Sequence, residues 1–341
     1  MKFDAVVGNP PYQIMDGGHG SSSQPIYNVF VEMSQLLKPS YLSMIMPSRW
    51  MTGGKGLDAF RYKMINDKHL RVLHDYLSAQ ACFSSVQIEG GICYFLWDKN
   101  NEGKCKLYSH LTNGTVSYSE MYLNELNTDV LIRDQGIISI LKKVHNGNIK
   151  TFDSLVFPRN AFGIFDIPST AYATNSIEAK YAILGRFDNK RAIRYLNNSF
   201  NIFKNLDLAE TWKVFISKAD GAAGQIGNPI PARIIGKAEI GYPNMICTET
   251  FLAIGPLDNE IIAKNVCTYM KSKFFRIIVG IRKNKNMTRD TYAFVPLQDF
   301  TENSDIDWSK SVEEIDQQLY KKYNLTDEEI TFIESMIKPM E

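Results

Sequence analysis

The four residues in this sequence best equipped for chemistry stand together near its start: Asn9-Pro10-Pro11-Tyr12. They follow Phe3-Asp4-Ala5-Val6-Val7-Gly8, an apolar run that reads as one short buried strand. Two prolines cannot continue a strand ladder, so the chain must leave the sheet there. Their rings also fix the backbone, which sets the direction of the residue 10 carbonyl. A side-chain amide, a fixed carbonyl and a phenol ring thus meet at one strand end. A plain strand-to-turn junction would use the same residue types.

Other candidate chemistries are thinner. The five cysteines (Cys82, Cys93, Cys105, Cys247, Cys267) form no C-x-x-C pair, and the five histidines show no ligand spacing, so no metal is expected. His74-Asp75 sits on a strand and reads as structural. Gly53-Gly54-Lys55-Gly56 lacks the G-x-x-x-x-G-K-[ST] spacing of a phosphate loop and reads as a helix-start turn. Arg282, Lys283, Lys285 and Arg289 share one polar stretch with Asn284, Asn286 and Thr288. Arginine and lysine can hold phosphates and asparagine can read adenine edges, although a solvated loop has the same look. Lys213, Lys218 and Arg233 flank the glycine-rich loop at 221–227 and could add phosphate contacts.

The elements that must position these residues alternate. After the strand at 3–8 and a polar loop at 13–24, Pro25 opens a helix whose Ile26, Phe30, Met33 and Leu37 fall on one apolar face, closed by Pro39. A strand at 41–46, a helix at 55–65 and strands at 70–76 and 92–97 follow. This rhythm implies an α/β layer with parallel pairing. Residues 110–127 read as connection, and a helix spans about 129–145. Beyond 150, short strand-like runs alternate with Gly, Pro and Asn turns, interrupted by a helix near 259–278. The tail carries two helices with capping boxes, Ser311-x-x-Glu314 and Thr326-x-x-Glu329, and an apolar stripe of Ile330, Ile333 and Ile337 that docks on the body.

The chain has 341 residues, 44% apolar and 12% aromatic, with a net charge of +1. That excludes a disordered or collagen-like chain and allows about two domains with real cores. No membrane span or leader is expected, and free thiols fit a reducing cytoplasm. The net charge hides a partition: +2 over residues 1–150, +6 over 151–300 and −7 over 301–341. A basic middle beside an acidic tail suits a polyanion-facing surface, and ordinary scatter gives such numbers too.

Asn9-Pro10-Pro11-Tyr12, at the end of an apolar strand with Phe3-Asp4 before it, resembles the motif (D/N/S)-P-P-(Y/F) of amino-group DNA methyltransferases that use S-adenosylmethionine. The likeness is closest to the methylase part of type IIG and related restriction–modification enzymes. It continues through the helix and strand up to Pro47-Ser48-Arg49-Trp50, through residues 83–97, and into 159–163, 271–296 and 307–340. The resemblance implies catalytic Asn9, Pro10, Pro11 and Tyr12. An adenine amine is a poor nucleophile because its lone pair is delocalised into the ring. The Asn9 side-chain oxygen and the Pro10 carbonyl would accept its two hydrogens and favour the tetrahedral nitrogen. Tyr12 would stack on the base flipped out of double-stranded DNA, with Phe83 packing it from the other side. A core aromatic is the plainer role for Phe83.

The same resemblance implies a partial doubly wound methyltransferase (Rossmann-like) sheet over residues 1–125. A mixed α+β target-recognition domain follows over 126–300, its DNA contacts at Arg282, Lys283, Lys285, Arg289 and Lys218, and then an acidic helical tail over 301–341. In the family the motif ends the fourth strand, and the cofactor sits on a glycine-rich loop after the first. Only eight residues precede Asn9, and neither 221–227 nor 162–166 has the spacing of that loop. The cofactor-binding residues are therefore unassigned. The expected function is site-specific N6-adenine methylation in a restriction–modification system. The chain is expected to be a C-terminal part that needs a second polypeptide carrying the cofactor half, or to be inactive alone. The alternatives are a non-catalytic DNA-binding specificity module of a split or decayed enzyme, and methylation of another planar amide or amine. The recognition sequence is not legible.

Overall fold

The apolar run after Phe3 folds as strand β1, Ala5–Gly8, of a computed structural model describing residues 3–15, 23–54, 56–84, 88, 90–147, 149–165, 167–219, 226–283 and 286–340. The chain divides into two units, one of residues 1–139 and 227–230, the other of residues 140–226 and 231–341.

In the first unit β1 is followed by a small hairpin, β2 (Gln13–Met15) with β3 (Ser23–Pro25), then α1 (Tyr27–Leu36) and β4 (Tyr41–Pro47). After α2 (Asp58–Asn66) come β5 (Leu70–Tyr76), β6 (Ile92–Asp98), β7 (Cys105–His110) and β8 (Val116–Met121). The sheet order is β1-β4-β6-β5-β7-β8. β1 runs parallel to β4, and β5 to β7, as the strand–helix rhythm implies. β6 departs from it, lying between β4 and β5 and antiparallel to both. Among the described residues the link from β5 to β6 holds a one-turn 3₁₀ segment, Ala79–Ala81, and no crossover helix of the kind a parallel return needs. Residues 110–127 are not mere connection, since β8 runs antiparallel to β7 there. The turn between them carries Asn113-Gly114, with Gly114 at φ +86°, the residue pair that favours a tight hairpin.

One sheet face is buried through Leu42, Met44, Met46, Leu73, Phe95 and Leu107. α1 turns Tyr27, Val31 and Ser34 inward, and Tyr27 meets Phe60 of α2 edge-on at 6.3 Å. The helix therefore does not bury the face that its spacing suggests. Phe30, Met33 and Leu37 are 40%, 61% and 51% exposed. The opposite sheet face carries stacked rings. His74 lies between Tyr94 and Tyr108, and its Nδ1 is 3.0 Å from His110 Nε2. Asp75 points to the buried face, as strand alternation requires, so His74-Asp75 does not form a pair.

The second unit starts within α3 (Gln135–Val144). It holds β9 (Tyr181–Phe187), β10 (Lys190–Leu196), α4 (Leu206–Glu210), β11 (Trp212–Ser217), β12 (Glu239–Gly241), β13 (Met245–Cys247) and β14 (Phe251–Leu257). These make two three-stranded sheets, β10-β9-β13 and β12-β11-β14. The helix expected near 259–278 is two, α5 (Glu260–Lys271) and α6 (Lys273–Arg282). Buried Ser272 is extended at the break, and its hydroxyl caps the Phe275 N–H. α7 (Val312–Lys322) supplies Asp316, which accepts the next two free N–H groups, those of Lys273 and Phe274. α7 and α8 (Asp327–Met336) both begin with the expected capping boxes, and Ile333 and Ile337 are fully buried. The acidic tail is thus packed into the second unit.

Lys213 on β11 is fully buried, so it cannot reach a phosphate. Its ammonium donates to three carbonyls, of Ala209 (2.8 Å), Tyr242 (3.2 Å) and Met245 (2.9 Å). Burial lowers its pKa to about 7. Between about pH 7 and the free-lysine value of 10.5 the native state sheds a proton that the unfolded chain keeps. This group's contribution to stability therefore rises with pH across that window. Lys213→Met should lose that rise. It should also remove one hydrogen bond from each of three carbonyls, of which those of Ala209 and Tyr242 keep the N–H groups of Asn244 and Met245, at a cost on the order of 0.5–1.5 kcal/mol each. Denaturant midpoints from pH 7 to 10 should show the wild-type advantage growing with pH. A constant difference would count against the shift.

Candidate active site

The parallel pair β1–β4 brings two chain ends to the same edge. Gly8 is in register with Met44, so Asn9 and Pro10 leave the sheet beside the last turns of β4. Asn9 and Pro11 are exposed and Pro10 is buried. Among the described residues no hydrogen bond takes the Asn9 side-chain oxygen or the Pro10 carbonyl. The Tyr12 carbonyl accepts the Ile26 N–H at 3.2 Å, which closes the β2–β3 hairpin against the start of α1. The Tyr12 ring is half-buried, and its hydroxyl lies inside without a partner among the described residues. Burial, reinforced by the nearby Cys93 and Cys82 thiols, pushes its phenol up. Phe83 directly follows Cys82, its N–H bonded to the Ala79 carbonyl at 2.9 Å, and its side chain is half-buried. Tyr12 and the Phe83 segment thus share one corner.

The floor of that corner is a one-turn 3₁₀ segment, Ser48–Met51, at the end of β4. Ser48 Oγ donates to Asp75 Oδ1 at 2.6 Å, and Arg133 Nη1 faces Asp75 Oδ2 at 3.2 Å. The Ser48 N–H donates to the Gly91 carbonyl, and the Leu131 N–H to the Met51 carbonyl. Trp50 Nε1 reaches the Cys93 sulfur at 3.4 Å. Burial raises that thiol to about 12, so it stays protonated and inert. Gly91 sits at φ +85°, where a Cβ would lie 2.1 Å from the Tyr76 carbonyl oxygen, so only glycine fits. This support was not legible as function. Ser48, Asp75 and Arg133 are 27 and 58 residues apart, and no motif joins them. Asn28 Oδ1 and Arg49 Nε are buried without partners among the described residues.

The basic stretch lies in the second unit. Arg282 ends α6 with its guanidinium 4.4 Å over the Phe294 ring. Arg289 is exposed, and its Nε donates to the Asp153 carbonyl at 3.1 Å. Lys218 stands 3.5 Å from Glu249, which Arg159 also holds. Lys283 is buried, which turns it from an open phosphate grip. Lys285, Gly221 and Gly224 lie outside the described residues. No group of three or more His, Cys, Asp or Glu able to hold a metal occurs among the described residues, and no helix there is long and apolar enough to cross a membrane.

A strand ending in Asn-Pro-Pro-Tyr thus stands beside a parallel neighbour within a mixed sheet. Residues 1–83, which carry the motif and its floor, match the Eco57I restriction-modification methylase family. An uncharacterized adenine-specific methylase of Mycoplasma pneumoniae is 37% identical over 107 residues, which is 30% of this chain and 25% of that protein. The type IIL restriction-modification enzyme MmeI, solved in complex with DNA, is similar in fold at TM-score 0.52 and 10% identity, over 96% of this chain and 56% of its own. The type IIG restriction endonuclease BpuSI aligns at TM-score 0.35 and 13% identity, over 95% of this chain and 49% of its own. The match thus spans a quarter of the curated relative, and the structural alignments about half of those two chains.

Proposed function

We propose that this chain forms the base pocket and DNA-reading part of an N6-adenine DNA methyltransferase of a restriction–modification system. The observation that carries the reading is the pair of open acceptors at the β1 end, the Asn9 side-chain oxygen and the Pro10 carbonyl, next to the half-buried Tyr12 ring. The two acceptors suit the two hydrogens of one exocyclic amine, and the ring suits a flipped base. Phe83, from the neighbouring segment, closes on the base. Within the second unit, Arg289, Arg282 and Lys218, with Lys285 beside them in sequence, are the cations proposed to contact the DNA backbone.

The methyl donor implied by the motif is S-adenosylmethionine. The described residues do not offer it a complete cradle. Gly53, Gly54 and Gly56 precede α2 but follow a 3₁₀ turn instead of a strand. No glycine-rich loop between a strand and a helix stands elsewhere among the described residues. We propose a second polypeptide as the source of the cofactor half.

The test is product identity. The chain, co-purified with its partner, is incubated with methyl-labelled cofactor and duplex DNA, and the DNA is digested to nucleosides. Label in N6-methyladenine is expected. Label in cytosine or in protein would overturn the adenine assignment. DNA binding with no transfer to any base would favour the specificity-module reading.

A further inference from the structure

The geometry points to the β9–β10 hairpin as a two-stranded ribbon that enters the major groove of duplex DNA, with Asn189 at its turn reading a base edge. This rests on the DNA-reading role proposed above and names the element of the second unit that performs it.

β9 and β10 pair along their whole length, from Tyr181 with Leu196 to Phe187 with Lys190. β13 joins β9 only at Ala182, Ile183 and Leu184, and β10 is the edge of that sheet. Past Leu184 the hairpin is therefore a two-stranded ribbon among the described residues. Its turn, Asp188-Asn189, holds both residues at positive φ, +51° and +61°, the form that carries the strand twist through a two-residue loop. Asn and Asp tolerate that backbone. Asn189 is exposed, and its side-chain amide makes no hydrogen bond among the described residues. Its carbonyl accepts Arg186 Nη2 at 2.9 Å.

The hairpin carries half of the net charge of residues 151–300. Arg186, Lys190, Arg191 and Arg194 stand against Asp188, a net +3 of the +6. Register and strand alternation put Arg186 and Arg191 directly opposite each other on one face, and Lys190 and Arg194 on the other. Like charges directly opposite cost stability. Glu239 offsets Arg191 at 2.8 Å and Asp188 offsets Arg194 at 2.9 Å. Arg186 and Lys190 are exposed and form no ion pair among the described residues.

The occupant follows from this arrangement. Cations on both faces of one narrow ribbon suit two anionic walls with a gap between them. The major groove is such a gap, about 12 Å wide, and it admits a two-stranded ribbon. Its walls offer phosphates to Arg186 and Lys190. Its floor offers base edges, among which adenine presents the donor and acceptor that match one amide. A flat anionic surface would meet one face of the ribbon only.

The experiment uses the full chain and a pool of random-sequence duplex DNA, from which bound sequences are recovered and read. Wild type is expected to enrich one sequence. Asn189→Gly keeps the turn, since glycine takes positive φ freely, and removes the amide. It should lower the preference at one position about tenfold, the loss of one good base contact, and leave the salt dependence of binding unchanged. Arg186→Gln with Lys190→Gln should do the reverse. That pair should weaken binding to all sequences alike and reduce the slope of log affinity against log salt by about two. Lys190→Gln alone should reduce it by about one with the melting midpoint held, because Lys190 makes no hydrogen bond that the fold needs. An unchanged slope in Lys190→Gln would overturn the ribbon, as would an unchanged preference in Asn189→Gly. A wild-type chain that enriches no sequence, or that binds single strands or anionic vesicles better than duplex, would overturn it too. Methyl transfer keeps the two readings apart. If N6-methyladenine forms while the hairpin variants bind and select as wild type does, the ribbon falls and the methyltransferase reading stands. If label goes elsewhere while the variants lose slope and preference, the ribbon stands and the adenine assignment falls.

Discussion

Asn9→Ala should lower methyl transfer by about 10²- to 10³-fold, the range seen when one positioned hydrogen-bonding group is removed from a catalytic site. The loss should fall on the transfer rate and leave duplex affinity within about twofold, because Asn9 is one exposed residue and the DNA contacts proposed above lie in the second unit. The reason is differential. In the planar ground state the adenine nitrogen lends its lone pair to the ring. As the nitrogen becomes tetrahedral its hydrogens grow more acidic and bind acceptors more strongly, so an acceptor at the β1 end favours the transition state over the ground state. The Pro10 carbonyl cannot be deleted by substitution and would sustain residual activity. Asn9→Asp keeps an oxygen at the same place and should retain more activity than Asn9→Ala. Single-turnover transfer with the assembled pair, beside duplex binding by the same variants, checks this. Equal rates for wild type and Asn9→Ala would remove Asn9 from the chemistry.

The corner was legible because it is local. A mostly apolar run of six residues, two prolines and their neighbours fix a strand, its end and two acceptors within twelve positions, and β1 and the Asn9 turn stand where the sequence puts them, but the strand expected to be buried is a sheet edge with no buried residue. The capping boxes at Ser311 and Thr326 were legible for the same reason. What depends on distant partners was not. Spacing shows that α1 has an apolar stripe but not which side its own core will take, and Tyr27 and Val31 won that side through Phe60 and the sheet. Strand order is a long-range choice, so β6 between β4 and β5 could not be read from an alternating rhythm. Lys213 looked like a surface cation because composition ignores burial, whereas three carbonyls from two distant segments hold it inside. The break at Ser272 is set by Asp316, more than forty residues away. The residues that hold the corner in place belong to this second group.

Asp75→Ala should destabilise the first unit by about 3–5 kcal/mol, the cost of removing one partner from a buried ion pair. Asp75 is fully buried, and its two oxygens face Ser48 Oγ and Arg133 Nη1 at 2.6 and 3.2 Å. Without it the Arg133 side chain, 20% exposed, keeps its charge with little water to replace the carboxylate. Ser48 loses its side-chain acceptor as well. The effect should not stop at stability. Ser48 opens the 3₁₀ segment that carries Arg49 and Trp50, and Asp75 and Arg133 both grip it, Arg133 through the Ser48 carbonyl at 3.4 Å. Loosening that floor lets the end of β4 move relative to β1, and so lets Asn9 drift from the amine it must face, where an error of about 1 Å can cost on the order of 10²-fold in rate. Asp75→Asn keeps the Ser48 bond while dropping the charge, and should recover part of the stability and most of the geometry. Denaturant midpoints of Asp75→Ala and Asp75→Asn, read beside transfer rates well below the unfolding transition, separate the two effects. If both variants unfold together and the folded Asp75→Ala chain transfers methyl at the wild-type rate, Asp75 stabilises the sheet and does not position the site.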